Sequence, residues 1–187
     1  MSRAELQGYH LSIQQARAWS FRQSGASACV QCALLLQGPL EVEALKAGLS
    51  RIVADNEILR TTFQSVAGLK LPVQVISEEP DYVWRELDVP LPSAPELIET
   101  APEIDSMLRE EQGCSFDYQC GPLLRARLLR FGTASHVLAL TISALCADSW
   151  TLVQISRGLV EFYEEGVGYR DAWFEAPALA PLALAPI

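Results

Sequence analysis

The sequence is poor in histidine, and its few candidate metal ligands do not form a set. His10 and His136 are the only histidines, and Cys29 and Cys32 form the only C-x-x-C pair. The apolar run around these cysteines is typical of a strand, in which residues three apart point to opposite faces. The sequence therefore predicts no zinc site, and we expect Cys29 and Cys32 to be core residues.

Positive charge is also scarce. Lys and Arg number 14 against 23 Asp and Glu, which gives a net charge of −9. Proteins that bind nucleic acid need a basic footprint to displace counterions, and anionic membrane surfaces attract basic segments. The composition therefore predicts neither a nucleic-acid partner nor a membrane partner.

Long hydrophobic runs are missing as well. No stretch is long and apolar enough to span a bilayer, and the amino terminus lacks the apolar centre of a signal peptide. The apolar segment 176–187 is short and interrupted by proline. Five cysteines, an odd number, indicate free thiols in a reducing compartment. We therefore expect a cytoplasmic protein.

What the sequence does contain is the alternation of an α/β domain. Ser12 and Gln15 fit a capping box at the start of a helix over 12–23. Apolar spacing predicts further helices over 42–56 and 102–112, and a last helix that Asp148 or Ser149 can cap. Strands are predicted at 29–37, around Val73 and Val75, and at 82–89, 123–131 and 136–143, with 57–64 extended. This order predicts an α/β sandwich in which helices cover a mixed sheet.

Three segments resemble motifs of one enzyme family. Residues 11–19 resemble a Ser-x-x-Gln-x-x-x-Trp helix start. Residues 56–63 match His-Glu-x-Leu-Arg-Thr-x-Phe, with Asn56 in place of histidine, and Phe116-Asp117 with 121–126 matches a Phe-Asp and Gly-Pro-Leu-hydrophobic-Arg stretch. Together and in this order they resemble the condensation domains of nonribosomal peptide synthetases. The resemblance covers about 11–165 and implies a single lobe of the chloramphenicol-acetyltransferase-like fold.

The resemblance also implies where an active site would lie. The family motif His-His-x-x-x-Asp-Gly should follow the strand 136–143. Here Ser143 and Ala144 stand in the two histidine positions, Asp148 aligns with the aspartate, and Ser149 replaces the glycine. A methyl group at the position of the catalytic second histidine can transfer no proton, and such help contributes about 10²–10⁴ in rate. We therefore expect a degenerate motif with no catalytic residue.

A structural pair is implied by the same resemblance. In the family the motif aspartate pairs with the arginine of the second motif, and here both Asp148 and Arg60 are present. Breaking a buried ion pair from one side costs about 3–5 kcal/mol. We therefore expect Arg60→Ala or Asp148→Ala to destabilise the fold.

Other residues near the motif are candidates for catalysis. Cys146 or Ser143 could act as a nucleophile only with a nearby base. His136 starts the same strand and should lie about 20 Å from Ser143, where we expect it to cap the strand end or face solvent. A buried, inert Cys146 is the simpler interpretation. We expect Glu110 and Glu111 to be solvated at a helix end, and the tryptophans to lie in or near the core, although they could form a partner surface: Trp19, Trp84, Trp150 and Trp173.

The predicted domain organisation is a flexible segment 1–10, a lobe over 11–166 and a linker or fragment end over 167–187. Family condensation domains have two lobes with the active site between them, so a lone lobe needs cover from a partner, a second copy or a following domain. The leading hypothesis is a noncatalytic module that docks or supports a neighbouring adenylation, carrier or tailoring domain. The alternative is half of a split condensation enzyme that forms an amide or ester bond from a carrier-bound thioester. We expect no cofactor in the chain, since any phosphopantetheine arm belongs to a carrier partner.

Overall fold

The computed structural model describes residues 8–22, 29–92, 98 and 100–167. Trp173 and residues 168–187 of the predicted linker lie outside this part of the chain. The helices are α1 (Ile13–Arg22), α2 (Val42–Asp55), α3 (Pro102–Gly113) and α4 (Ser149–Val167), with a short 3-10 helix at Glu57–Arg60. The strands are β1 (Tyr9–His10), β2 (Cys29–Gln37), β3 (Thr61–Gln64), β4 (Val73–Ile76), β5 (Val83–Asp88), β6 (Leu124–Arg130) and β7 (Ser135–Ser143).

A four-stranded sheet forms the centre of the fold, in the order β2-β7-β6-β5. β2 and β7 are antiparallel over nine residues, from Cys29 opposite Ser143 to Gln37 opposite Ser135. β6 is antiparallel to β7, whereas β5 runs parallel to β6. The sheet is therefore mixed, as the sequence predicts.

Helices cover both faces of this sheet. Alternate residues of β2 divide between two clusters, with Leu34 and Leu36 in the larger core and Ala33 and Leu35 in the smaller one. The larger core includes residues of α2 and α4, and the smaller one includes residues of α3. α2 and α4 approach closely at Gly48, where a Cβ would lie 3.3 Å from the Leu159 side chain and that side chain would have to shift slightly. The predicted α/β sandwich is confirmed.

Two local features differ from the sequence predictions. Residues 57–60 form a 3-10 helix instead of extended chain, held by Leu59 N–H to the Asn56 carbonyl at 3.0 Å. A second, three-stranded sheet in the order β1-β4-β3 was not predicted. Its strand β1 consists of Tyr9 and His10, from the segment predicted to be flexible, and pairs with β4. Strands of two to four residues carry too little periodicity to stand out in a sequence.

Candidate functional site

The loop between β7 and α4 holds the degenerate motif positions. Ser143 is fully buried. Its N–H donates to the Leu123 carbonyl at 3.0 Å, and its own carbonyl accepts the N–H groups of Cys146 at 2.8 Å and Ala147 at 3.1 Å. Its Oγ accepts the Leu145 N–H at 3.2 Å. Ser143 therefore fixes a tight turn, and its hydroxyl is occupied within that turn.

The loop residues Ala144 and Cys146 offer no group suited to proton transfer at neutral pH. Ala144 is half-buried and carries only a methyl group. Cys146 is buried, and burial raises the pKa of its thiol to about 12, so that it stays protonated at neutral pH. A thiol in that state is a poor nucleophile, because the thiolate is the reactive form.

His136 lies at the opposite end of β7 from this loop. It pairs with Leu36, whereas Ser143 pairs with Cys29, so the two residues are separated by the length of the strand. The expectation that His136 faces solvent is wrong, since its side chain is buried and its Nδ1 has no hydrogen-bond partner in the described residues. Burial lowers the pKa of His136, and the positive charge of Arg130 lowers it further.

Asp148 caps α4. Its Oδ1 accepts hydrogen bonds from the Thr151 backbone N–H and the Thr151 hydroxyl, both at 2.8 Å. These bonds to the ionised carboxylate lower the pKa of Asp148. Asp148 is exposed, and so is Ser149, the first residue of α4. Asp148 is thus the N-cap of α4, one of the two residues predicted for that position. Its side chain accepts a hydrogen bond from a backbone N–H that has no partner within the first turn of the helix.

Arg60 does not pair with Asp148. Its guanidinium donates to the Ser77 carbonyl, while the Ser77 N–H donates to the Arg60 carbonyl at 3.0 Å. Its Nε is buried without a partner in the described part of the chain. Arg60 therefore ties the 3-10 helix to the segment after β4. No ion pair joins Arg60 to Asp148 in the described residues, and Asp148 Oδ1 instead accepts the two hydrogen bonds from Thr151.

A buried ion pair does exist, but it joins other residues. Arg125 Nε lies 2.6 Å from Glu111 Oε2, with the two side chains 11% and 4% exposed. Arg125 also donates to the carbonyls of Glu111 at 2.9 Å and Cys114 at 3.2 Å, and its guanidinium stacks 3.9 Å from the centre of the Phe116 ring. The arginine of the Gly-Pro-Leu-Leu-Arg stretch thus holds the C-terminus of α3 to the sheet.

The expectation of solvated glutamates at the end of α3 is therefore half wrong. Glu110 is exposed and contacts Arg127 at 3.0 Å, in agreement with it. Glu111 is buried against Arg125 and also contacts Arg127 at 3.4 Å. The difference arises because Glu111 lies on the side of the helix that faces the sheet.

The three sequence motifs meet in one aromatic cluster. The ring of Trp19, from the first motif, lies 6.3 Å from that of Phe63, from the second. Tyr118 lies 5.7 Å from Trp19 and 6.5 Å from Phe63, and Phe116 lies 6.3 Å from Tyr118. The rings meet at tilted or edge-on angles, which aromatic pairs favour. Residues of the three motif segments thus pack against one another in the fold.

A turn at Asp117 places Tyr118 in that cluster. Asp117 Oδ1 accepts the N–H groups of Gln119 and Cys120, each at 3.0 Å, and these bonds lower the pKa of Asp117. Gly121 has a positive φ of 68°, a conformation that favours glycine. The Tyr118 carbonyl then accepts the Phe63 N–H, which connects the turn to β3.

Gln15 connects the first motif to the loop. Its backbone N–H donates to Ser12 Oγ at 3.2 Å and its Oε1 accepts the Ser12 N–H at 2.9 Å, which confirms the capping box. Its Nε2 donates to the Leu145 carbonyl at 3.1 Å and to Gln74 Oε1 at 2.8 Å. Sequence reasoning gave Gln15 a role in its own helix only, since no sequence signal marks its contact with residue 145.

Cys29 and Cys32 lie on opposite faces of β2, as predicted. Cys32 Sγ lies 3.8 Å from Ser156 Oγ on α4, whereas Cys29 lies near the charges of Arg125 and Glu111 on the α3 side. Burial raises the pKa of both thiols. In the part of the chain that the structure describes, no group of three or more His, Cys, Asp or Glu residues could hold a metal ion. The helices described there include none long and apolar enough to cross a membrane.

Comparison with known proteins identifies the same family as the sequence motifs. The family model of the condensation domain matches residues 5–170. Cyclosporin synthetase of Tolypocladium inflatum is 32% identical over 171 residues, which are 86% of this chain and 1% of that protein.

Solved structures give the same result. The X-domain in its complex with OxyB from teicoplanin biosynthesis is 27% identical, with a TM-score of 0.69, over 98% of this chain and 37% of that one. A starter condensation domain of the rhizomide synthetase is 18% identical and shares the fold, with a TM-score of 0.74 over 87% of this chain and 38% of that one. The chain thus spans less than two fifths of each of these two structures. It belongs to the condensation domain family of nonribosomal peptide synthetases.

Proposed function

We propose that this chain is a noncatalytic condensation-like module that docks or supports a neighbouring synthetase domain. The observation that carries the proposal is the chemistry of the loop after β7. Ser143 is bound within a turn, Ala144 has no titratable group, and Cys146 is a buried thiol. The histidine nearest in sequence, His136, lies at the far end of the strand. The positions of the two motif histidines thus hold no group suited to take or give a proton during amine attack on a thioester, and the Asp148 carboxylate in the same loop is bound to the first turn of α4.

The remaining motif residues support the proposal by what they do. Gln15, Trp19, Phe63 and Arg125 all make contacts that hold segments of the lobe together. These residues maintain the architecture around the loop whether or not the loop performs chemistry. The chain keeps the motif residues that pack the lobe together and lacks the motif residues that transfer protons. This combination favours a function in protein–protein interaction over a function in catalysis.

The X-domain relative supports docking as that function. Its solved structure is a complex with OxyB, and it resembles this chain at 27% identity over nearly the whole chain. On this chain, the start of α4 and the first turn of α1 present large apolar side chains to solvent, Trp150 at 67% and Ile13 at 77% exposed. Both adjoin the loop, since Trp150 follows it and the α1 residue Gln15 is bound to its Leu145 carbonyl. We place the docking surface for an adjoining adenylation, carrier or tailoring domain on these two residues.

The second candidate is half of a split condensation enzyme. It is supported by the match of residues 5–170 to the condensation domain family. In that case a separate chain supplies the second lobe, with a residue that replaces the missing histidines.

A condensation assay separates the two functions. The chain is incubated with donor and acceptor substrates loaded on carrier proteins, alone and with candidate second-lobe proteins, and amide or ester product is measured by mass spectrometry. The module proposal predicts no product in either case, and no product from Ala144→His alone. Product that depends on residues 143–148 contradicts the proposal and supports the split enzyme.

A binding assay tests docking directly. Neighbouring domains encoded beside this chain are titrated against it by calorimetry, with Trp150→Ser as the test variant. Leu87→Ser is the matched control, because Leu87 is also half-exposed but lies on β5, away from the loop. Loss of binding in the first variant only is expected. Equal binding by both variants contradicts the assignment of this surface.

A further inference from the structure

A chain of hydrogen bonds through two glutamine side chains joins segments that are distant in the sequence. Gln15 Oε1 accepts the Ser12 N–H at 2.9 Å. Gln15 Nε2 donates to the Leu145 carbonyl at 3.1 Å and to Gln74 Oε1 at 2.8 Å. Gln74 Nε2 in turn donates to the His10 carbonyl at 3.0 Å. These two side chains, the amide relay, therefore connect β1, the start of α1, β4 and the loop after β7.

The bonds of the amide relay define the orientation of both amides. A side-chain amide has an oxygen that accepts and a nitrogen that donates two hydrogens. Gln15 uses both hydrogens, so a reversed amide would set its oxygen against the oxygens of Leu145 and Gln74. A reversed Gln74 amide would lose its bond to the His10 carbonyl. Both glutamines are half-buried, and partly buried polar networks are most stable when every member is bonded.

The Leu145 carbonyl is the point at which the amide relay contacts the loop. The Leu145 N–H is bound to Ser143 Oγ inside the turn, and the Leu145 side chain packs in the larger core. Its carbonyl accepts a hydrogen bond from a different element, α1. Asp148 follows three residues later and caps α4, whose second residue is Trp150. Gln15 is therefore bonded to the loop a few residues before Trp150.

Gln15 is also close in sequence to Ile13, the other residue of the docking surface. Ile13 is the first residue of α1 and Gln15 the third. Ser12 and Gln15 bind each other through both halves of the capping box, which fixes the first turn of the helix. One amide group thus connects the two segments that carry Ile13 and Trp150.

We infer that Gln15 is a positioning residue of the docking surface, which fixes α1 and the start of α4 relative to each other before a partner binds. The inference rests on the proposed function, which assigns the docking surface to Ile13 and Trp150. A surface built from two segments loses less conformational freedom on binding when their relative position is already set. Loss of the Leu145 contact should therefore weaken docking although neither Ile13 nor Trp150 is altered.

The variant Gln15→Glu separates this role from helix capping. Glutamate has nearly the same size and is a usual partner of serine in a capping box, so it keeps the acceptor for the Ser12 N–H. It has no N–H to donate to the Leu145 carbonyl or to Gln74. Gln74→Glu is the matched control, because it brings the same charge to the same place but keeps an acceptor for Gln15 Nε2. Ser12→Ala is the second control, since it removes the Oγ that binds the Gln15 backbone N–H and leaves Nε2 bonded.

Fluorine NMR of the full chain labelled with 5-fluorotryptophan reports on Trp150 in the absence of a partner. Its resonance, identified with Trp150→Phe, should shift or broaden in Gln15→Glu. It should stay in place in Gln74→Glu and in Ser12→Ala. Trp84 is the internal reference, because it lies on β5 and should be unchanged in all variants.

Amide hydrogen exchange reports on the loop itself. The Cys146 N–H is bound to the Ser143 carbonyl within the turn. It should exchange about tenfold faster in Gln15→Glu, the change expected when one hydrogen bond that holds the turn is lost. The Leu140 amide, in the centre of β7, should stay slow and show that the variant is folded.

Calorimetric titration with the neighbouring domains encoded beside this chain connects the amide relay to docking. Gln15→Glu should bind about tenfold more weakly than the unaltered chain, and both controls should bind as well as it does. If the unaltered chain binds none of these domains, the proposed function fails, whereas the effect of Gln15 on Trp150 is still decided by fluorine NMR. If Gln15→Glu fails to fold, Gln15→Met, which is uncharged and similar in size, replaces it in all three measurements.

Three results overturn the inference. The first is an unchanged Trp150 resonance together with unchanged Cys146 exchange in Gln15→Glu, which shows that the loop keeps its position without the amide relay. The second is an equal change in either control, which traces the effect to the start of α1 or to added charge. The third is full affinity of Gln15→Glu for a partner that the unaltered chain binds.

Discussion

Arg125 Nε and Glu111 Oε2 lie 2.6 Å apart beneath the C-terminal turn of α3, with both side chains nearly withdrawn from solvent. Arg125 also donates hydrogen bonds to two backbone carbonyls at the end of that helix. Its guanidinium therefore binds both the Glu111 carboxylate and the C-terminal carbonyls of α3. A cation near a helix C-terminus is favoured by the helix dipole. This pair carries the structural role that the motif resemblance gave to Arg60 and Asp148.

Glu111→Ala should strongly destabilise the lobe. Removing one partner leaves the Arg125 charge buried, which costs about 3–5 kcal/mol. Urea denaturation followed by circular dichroism measures the free energy of unfolding. Glu110→Ala is the control, because Glu110 is mostly exposed and surface pairs contribute about 0–1 kcal/mol. Similar losses in both variants contradict the role of the buried pair.

Asp148→Ala should cost much less. Asp148 is an exposed N-cap, and loss of such a cap costs about 1 kcal/mol. Asp148→Asn keeps an acceptor for the Thr151 N–H and should restore most of the loss. A loss as large as that of Glu111→Ala would show that Asp148 has a buried ionic partner after all.

The cysteines should differ sharply in reactivity. Cys114 and Cys120 are exposed, whereas Cys32 and Cys146 are buried and burial raises the pKa of both thiols. Brief iodoacetamide treatment of the folded chain, followed by peptide mass spectrometry, should label the exposed pair and leave the buried pair unmodified. Denatured protein, in which all five should react, is the control. Fast labelling of Cys146 in the folded chain would revive it as a nucleophile.

Stability should fall in mild acid because of His136. Its pKa is lowered in the folded state by burial and by Arg130, so the unfolded chain binds a proton more readily. The unfolding free energy should therefore decrease as pH falls through about 6.5, the ordinary histidine pKa. His136→Phe should flatten this part of the pH profile, and His10→Gln should leave it in place. A profile that is unchanged by His136→Phe contradicts the assignment.

Much of the secondary structure could be predicted from short stretches of the sequence. The apolar spacing of residues 42–55 and the uncharged run 29–37 predict α2 and β2 within a residue or two of their ends. Ser12 and Gln15 predict the start of α1, and Asp148 the cap of α4. These signals are readable because each depends on residues within one or two turns of each other.

The candidate site was predictable in position but not in its contacts. The motif order places the site in the loop after β7, and the structure agrees that this loop joins β7 to α4. The sequence assigned the fold-holding ion pair to Arg60 and Asp148, whereas the structure gives it to Arg125 and Glu111. The sequence also did not predict the hydrogen bond from Gln15 to the Leu145 carbonyl or the burial of His136. Both depend on residues that are distant in the chain.

The sequence by itself therefore determined the element order, the α/β class, the family and the absence of histidine at two motif positions. Only the tertiary structure decided which charges are buried and which residues meet across the motifs. The reason is physical. Secondary structure follows from periodicity over a few residues, but a buried ion pair depends on which segments the folded chain brings within a few ångströms.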